Sequence, residues 1–237
     1  MIVRTIFLGL IVLVFILALI PVLLVCVPLG LHTPPLALGR LTIRLGWAVL
    51  GLPIEAEGLD RVDRSRPVVY MANHESALDG PVLFLLIPVL PRVILKSSLF
   101  RIPVLSQAMR FGGFVAVNRR RERDGRVRIE KAARLMKERG YSFLIFPEGT
   151  RSRDGRLQTF HRGGFFLASA ANAPIVPMTI EGAFRVMPRG RLVPRRGSIR
   201  VVFHPAMETE GLTEAEMPAF VDRVRDVIAS GRKGEDA

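Results

Sequence analysis

The chain has 237 residues, of which 49% are hydrophobic and 23% charged, so it holds ample material for a core and is not intrinsically disordered. Its formal net charge of +13 points to an anionic partner, whether nucleic acid, an anionic membrane surface or an acidic carrier protein, and the charge by itself does not choose among them. The single cysteine, Cys26, excludes an intramolecular disulfide and a cysteine-based metal cluster.

The apolar excess, with a mean hydropathy of +0.32 overall, is concentrated at the N-terminus. No charged residue lies between Arg4 and Arg40. As a helix, Ile6 to Leu31 would reach about 39 Å, more than the ~30 Å hydrocarbon core of a bilayer, whereas Ile6 to Ile20 alone would reach only about 22 Å. Pro21 therefore leaves two readings: one tilted, kinked span, or a shorter helix that turns back. A cleaved signal peptide fits poorly, because the run exceeds the usual ~7–15 apolar residues and ends in Pro28-Leu29-Gly30. After Pro34-Pro35, residues Leu36 to Leu52 carry Arg40 and Arg44 one helical turn apart among bulky apolar residues. This segment either lies in the headgroup region or packs as an amphipathic helix on the domain that follows.

Pro67 to Ala72 reads as a buried strand that ends at Asn73-His74, and Pro81 marks the first turn of a helix running to about Ile87. Val93–Lys96, Phe114–Val117 and Ser142–Phe146 are further strands. Arg119 to Arg128, with six arginines, is expected to be an exposed loop. Ile129, Ala132, Ala133 and Met136 repeat at helical spacing, with Gly140 as terminator. Phe165–Ala171 is helical, and Ile175–Ile180 and Ile199–Phe203 are strands. Thr213 and Glu216 form a capping box for a last helix whose apolar face is Met217, Phe220, Val221, Val224 and Ile228. Alternating strands and helices predict an α/β fold with a largely parallel or mixed sheet flanked by helices, beyond a membrane-associated helical segment. Ligands in such sheets gather beyond the carboxyl ends of the strands. Three polar clusters follow strands in that way: His74–Asp79, Asn118-Arg119 and Glu148–Ser152.

The chain has no G-x-S-x-G elbow, Walker A loop, G-x-G-x-x-G or H-E-x-x-H motif; Leu78 stands where the second histidine of the last would be. A histidine can take a proton at neutral pH, and a carboxylate on its other nitrogen fixes the tautomer. Five residues of regular helix would set His74 and Asp79 about 140° apart, so the pair meets only if part of the segment is a turn. Without context, a capping or core role is the commoner one for such a pair.

The context is a resemblance. Asn73-His74-Glu75-Ser76-Ala77-Leu78-Asp79 resembles the N-H-x-S-x-x-D motif of the glycerolipid acyltransferases, in particular the 1-acylglycerol-3-phosphate acyltransferases. Phe146-Pro147-Glu148-Gly149-Thr150-Arg151-Ser152 is similar to that family's F-P-E-G-T-R-S block at every position. Gly113–Arg119 and Ile175–Met178 resemble its two other blocks, so that the likeness covers about residues 55 to 205. Asn118 stands where many members have Asp, and His161-Arg162 where many have lysines, and both put the acceptor preference in doubt.

The resemblance implies that His74 is a general base for the acceptor hydroxyl and Asp79 its orienting partner. It implies a substrate site made from Asn73, Ser76, Arg119, Glu148, Gly149, Thr150 and Arg151. The hydroxyl attacks a fatty acyl thioester, from acyl-CoA or acyl carrier protein, with no metal and no resident cofactor. The implied organisation is a membrane-anchoring segment over residues 1–52 and an acyltransferase domain over 53–237. Membrane lipids, rather than nucleic acid, are the expected partners. The Arg-rich part follows the apolar run, so the positive-inside tendency places it on the cytoplasmic face of the inner membrane. The rival readings are a sibling acyltransferase acting on another lysolipid such as a lyso-ornithine lipid, a non-catalytic membrane-binding protein, and a lipid hydrolase in which His74 activates water. Ser76 is a possible nucleophile, though capping or hydrogen bonding near His74 suits it better.

Overall fold

A computed structural model describes residues 2–117 and 122–233. Helix α1 (Ile2–Cys26) runs through Pro21 without a break. The missing proline N–H costs one backbone hydrogen bond, and a segment this apolar has no better way to satisfy the remaining ones. Gly30, in the left-handed region at φ 65°, turns the chain back into α2 (Thr33–Leu50), which opens on Pro34 and Pro35. The two helices form an antiparallel hairpin: Arg4 near the start of α1 donates to the carbonyl of Leu50 at the end of α2. Gly46 lets α2 approach closely, since a β-carbon there would lie 3.3 Å from the Leu8 side chain.

One side of Leu36–Leu52 packs on the domain that follows. Leu36 is buried in the main core, with Ile43, Trp47 and Leu50 packed against it. Arg40 turns inward and donates to the carbonyls of Ile87 and Val89, while Arg44 stays exposed. α2 thus packs both on α1 and on the core of the following unit, while Leu41 and Leu45 stay exposed on its outer side. α1 is long and apolar enough to cross a membrane, and most of its surface is exposed.

The sheet has seven strands: β1 (Ile54–Glu57), β2 (Val69–Ala72), β3 (Arg92–Lys96), β4 (Val115–Val117), β5 (Phe143–Ile145), β6 (Ile175–Glu181) and β7 (Ile199–Phe203). They lie in the order β1-β7-β6-β2-β5-β3-β4. All neighbours are parallel except β6 and β7, so the sheet is mixed, as the sequence allows. β1 is the one strand the sequence does not announce.

Side chains of β2 alternate between the two faces. Tyr70 and Ala72 join a core with α2 and α3 (Asp79–Leu86). Val69 and Met71 join a second core with α5 (Glu122–Arg139), α6 (Gly163–Ala171) and α8 (Met217–Ser230). α4 (Leu105–Phe111) packs on α1 through Ala108, Leu19 and Leu23, and α7 (Ala183–Val186) follows β6. The charge run expected to be a loop is instead helical from Glu122 onward. The apolar stripe of Ile129, Ala132, Ala133 and Met136 anchors α5, and arginine is a good helix former that lets it extend back toward the N-terminus. The reciprocal bonds of the expected capping box form, from the Thr213 N–H to Glu216 Oε2 at 3.0 Å and from the Glu216 N–H to Thr213 Oγ1 at 3.4 Å, but they close a turn just ahead of α8, which begins at Met217 with Glu216 as its N-cap.

Candidate active site

Three neighbouring strands deliver the site. β2 lies between β5 and β6, and the loops that leave the carboxyl ends of all three converge. Asn73 follows β2 and fastens that strand end to β6. Its Nδ2 donates to the Ile180 carbonyl at 2.8 Å and its Oδ1 accepts the Ile180 N–H at 2.7 Å. The side-chain amide thereby repeats the donor–acceptor pair of a peptide group and continues the ladder after the backbone has turned away.

The released backbone forms the His74 loop. The His74 N–H donates to Glu148 Oε1 at 2.7 Å, and the His74 carbonyl accepts the Ser152 N–H at 2.7 Å. The imidazole stacks on Phe146, with centroids 4.1 Å apart and planes 18° apart. Its Nδ1 lies 2.8 Å from Asp79 Oδ2. Residues 73–78 are non-helical and α3 begins at Asp79, so the turn the pair requires is present. Asp79 is fully buried, and the same Oδ2 also accepts the N–H groups of Glu75 at 2.7 Å and Ser76 at 2.8 Å. One oxygen therefore holds both the ring and the backbone of the loop. A carboxylate only accepts, so Nδ1 carries the proton and Nε2 presents a lone pair. Nε2 has no protein partner among the described residues, and the side chain is 21% exposed.

The residues predicted for the site divide into two groups. Asn73, Ser76 and Glu148 are buried and fully engaged inside the protein, so they build the site and do not line it. Ser76 Oγ donates to the Met187 carbonyl and accepts the Leu78 N–H, so the hydroxyl is engaged within the protein. Glu148 Oε2 accepts two hydrogen bonds from Gln158, from its N–H and its Nε2. Burial pushes the Glu148 carboxyl above the usual range. Gly149, Thr150 and Arg151 lie on the accessible side of the same loop. Gly149 adopts φ 70°, Thr150 is exposed, and Arg151 is half-buried with no hydrogen bond or ion pair to a described residue. Arg119 and Asn118 lie outside the described residues.

Sequence reasoning passed over four contributors. Phe146 belongs to the quoted block but reads as a strand end, and only its stacking on His74 reveals its part. Gln158 and the α7 backbone give no local signal. Glu75 is buried, accepts the Phe184 N–H at 3.1 Å, and is pushed up to about 7, first by burial and then by the neighbouring Asp79. His204 pairs with Thr179 at 2.8 Å, away from this cluster.

The arrangement provides a histidine with one nitrogen tied to a buried carboxylate and its other nitrogen free, and, on the adjoining loop next to Ser152, the Arg151 guanidinium, unpaired among the described residues. That set suits removal of a proton from a hydroxyl on an anionic molecule.

Comparison with known proteins finds a family match, curated relatives and a solved structure of the same fold. The profile of a family described as Acyltransferase matches residues 53–181. Over 166 residues the chain is 37% identical to the chloroplastic 1-acyl-sn-glycerol-3-phosphate acyltransferase BAT2 of Brassica napus, covering 67% of this chain and 47% of the relative. The chain thus spans about half the length of that plant protein. It is 31% identical over 190 residues to the 1-acyl-sn-glycerol-3-phosphate acyltransferase of Borreliella burgdorferi, covering 80% of this chain and 75% of that one. Among solved structures, the 1-acyl-sn-glycerophosphate acyltransferase PlsC of Thermotoga maritima has the same fold. Its TM-score is 0.79 at 22% identity, over 100% of this chain and 98% of that chain.

Proposed function

The chain belongs to the acyltransferase family, and from that premise we propose that it moves a fatty acyl group from an acyl thioester to the free hydroxyl of 1-acylglycerol-3-phosphate, giving phosphatidate for phospholipid synthesis. The observation that carries this reading is the His74–Asp79 pair, with Nδ1 tied down and Nε2 open. In the proposed step, Nε2 takes the hydroxyl proton as the oxygen attacks the thioester carbonyl. The C–S bond then breaks, and the imidazolium returns the proton to the leaving thiolate. Asp79 stabilises the transient imidazolium. Arg151 holds the acceptor phosphate beside Gly149 and Thr150, where the left-handed Gly149 leaves the backbone open to close approach.

The donor is acyl-CoA or an acylated carrier protein, the phosphopantetheine thioester being common to both. The basic chain suits either of these acidic partners, and no resident cofactor enters the step. Membrane lipids are the second partner. α1 and its turn hold the domain against the cytoplasmic leaflet of the inner membrane, where an amphiphilic acceptor presents its hydroxyl at the headgroup plane. The test is to incubate the purified full-length protein with labelled lysophosphatidate and acyl-CoA and to resolve the lipids. Labelled phosphatidate is expected. Its absence with lysophosphatidate, together with acylation of a lyso-ornithine lipid, would move the assignment to that acceptor.

A further inference from the structure

A second cationic site lies at the other end of the sheet. Where β4 and β5 begin, opposite the strand ends that deliver His74, a cavity of about 190 Å³ opens between the α1–α2 turn, α4 and α5. Arg110, Lys131 and Arg139 supply three positive charges to its wall, Tyr141 also lines it, and among the described residues no carboxylate does. Lys131, Leu135 and Arg139 follow one another at intervals of four along one face of α5. Arg92 lies beneath the Tyr141 ring at 3.5 Å and adds a fourth positive charge behind the wall. Arg110 and Arg139 sit in the last turns of α4 and α5, where cations offset the helix dipole. That role does not account for Lys131, which sits in the middle of α5 and makes no ion pair with a described residue.

The cavity borders an apolar ledge. His32, which lines it, donates Nδ1–H to the Phe111 carbonyl at 2.8 Å and so fastens the α1–α2 turn to α4. The residues just before it, Val27, Leu29 and Leu31, are 52%, 64% and 46% exposed. Converging cations beside an exposed apolar turn match the chemistry of an anionic phospholipid, whose phosphate sits directly above its acyl chains.

We propose that this cavity binds the phosphate of an anionic phospholipid headgroup while the Val27–Leu31 turn enters the acyl region of the same leaflet. The lipid there is a ligand and not a substrate, since the site stands at the opposite end of the strands from His74. It holds the far end of the α1–α2 hairpin down, so that the membrane contact does not depend on the active-site end alone. This rests on the membrane association proposed above and is independent of the acyl transfer.

The test compares the full-length protein with the double variant Lys131→Ala/Arg139→Ala, both positions being exposed on α5. Flotation is measured with phosphatidylcholine vesicles with and without phosphatidate, and turnover is measured in detergent micelles. A second double variant, Arg223→Ala/Arg225→Ala, removes the same charge from α8. The wild type is expected to bind phosphatidate-containing vesicles more tightly. The α5 variant is expected to lose about 30-fold of that binding while keeping wild-type micellar turnover, and the α8 variant to keep it. Equal binding by the α5 variant and the wild type, or equal losses in both variants, overturns the proposal. A saturable calorimetric signal with inorganic phosphate, lost in the α5 variant while vesicle binding is unchanged, also overturns it, by making the cavity a site for a soluble anion. Failure of the wild type to turn over in micelles counts against acyl transfer alone, because flotation still decides the lipid site.

Discussion

Glu148 holds His74 by the main chain and not by the ring: the His74 N–H donates to Glu148 Oε1 at 2.7 Å while the imidazole faces Asp79. A buried carboxylate from the β5 loop therefore fixes where the β2 loop begins. Glu148→Ala would leave a buried N–H without a partner, at a cost of about 1–3 kcal/mol in stability. The displaced loop should lower kcat by about 10²-fold, since misplacement on the scale of 1 Å has that effect. Thermal unfolding and steady-state turnover on the same preparation check both effects. Wild-type kcat in a folded Glu148→Ala protein would deny Glu148 this part.

His74→Ala should lower transfer by ~10²–10⁴-fold, the usual range for loss of a general base. Asp79→Asn should also be severe. Its amide can keep the contacts to the Glu75 and Ser76 N–H groups through oxygen but no longer stabilises an imidazolium. Rates measured across pH with both variants decide this, and near-wild-type turnover by a folded His74→Ala protein would end the proposed mechanism.

Arg151→Ala should raise the KM for lysophosphatidate while leaving the KM for the thioester donor nearly unchanged, because the side chain has no hydrogen bond or ion pair among the described residues. Two-substrate kinetics separate the two constants. A change confined to the donor KM would place Arg151 against the thioester instead.

Glu75 makes stability depend on pH. Its carboxyl is pushed up to about 7 by burial and by Asp79, above its ordinary value of 4.5, so the folded protein binds more protons than the unfolded chain between those two pH values. Stability contributed by the protonated form is therefore present below about pH 4.5 and is lost as the pH rises through 7, by up to ~3 kcal/mol. Glu75→Gln should flatten this part of the profile and raise the Tm at pH 8 relative to wild type. Melting curves between pH 5 and 8 test it, and parallel profiles for the two proteins would show that Glu75 is not the group responsible.

Truncation should behave differently at two points. Removing residues 1–52 takes away Leu36 and Trp47 with the rest of α2 and exposes the core beneath, so that form should aggregate. Removing residues 1–26 deletes α1 and uncovers the faces of α2 and α4 that it packs on, which lie outside the main core. This shorter deletion should give a protein with micellar activity but much weaker sedimentation with membranes. Soluble, active protein lacking residues 1–52 would show that α2 is dispensable to the fold.

Much of this was legible in the sequence because the signals were local. The strand ending at Ala72, the proline-led α3 and the Thr213–Glu216 box all rest on residues close together in the chain. β1 was not legible: Ile-Glu-Ala-Glu at an exposed edge carries too little apolar character to read as a strand. Helical phase left the His74–Asp79 pair ambiguous, since only the non-helical path of residues 73–78 brings the two together. Glu148 reads as part of an accessible acceptor loop because sequence cannot reveal that both its oxygens face inward. Gln158 carried no signal, its value lying entirely in its contact with Glu148.

The Asn73 amide and the Ile180 peptide that it clasps are separated by 107 positions. A ribosome has thus completed the histidine motif long before it makes the strand that secures it. During synthesis α1 emerges ahead of the sheet, and the clasp closes only after β6 has been threaded beside β2. A chain released prematurely, ahead of Ile175, would therefore carry every residue of the proton pair without the support that aligns it.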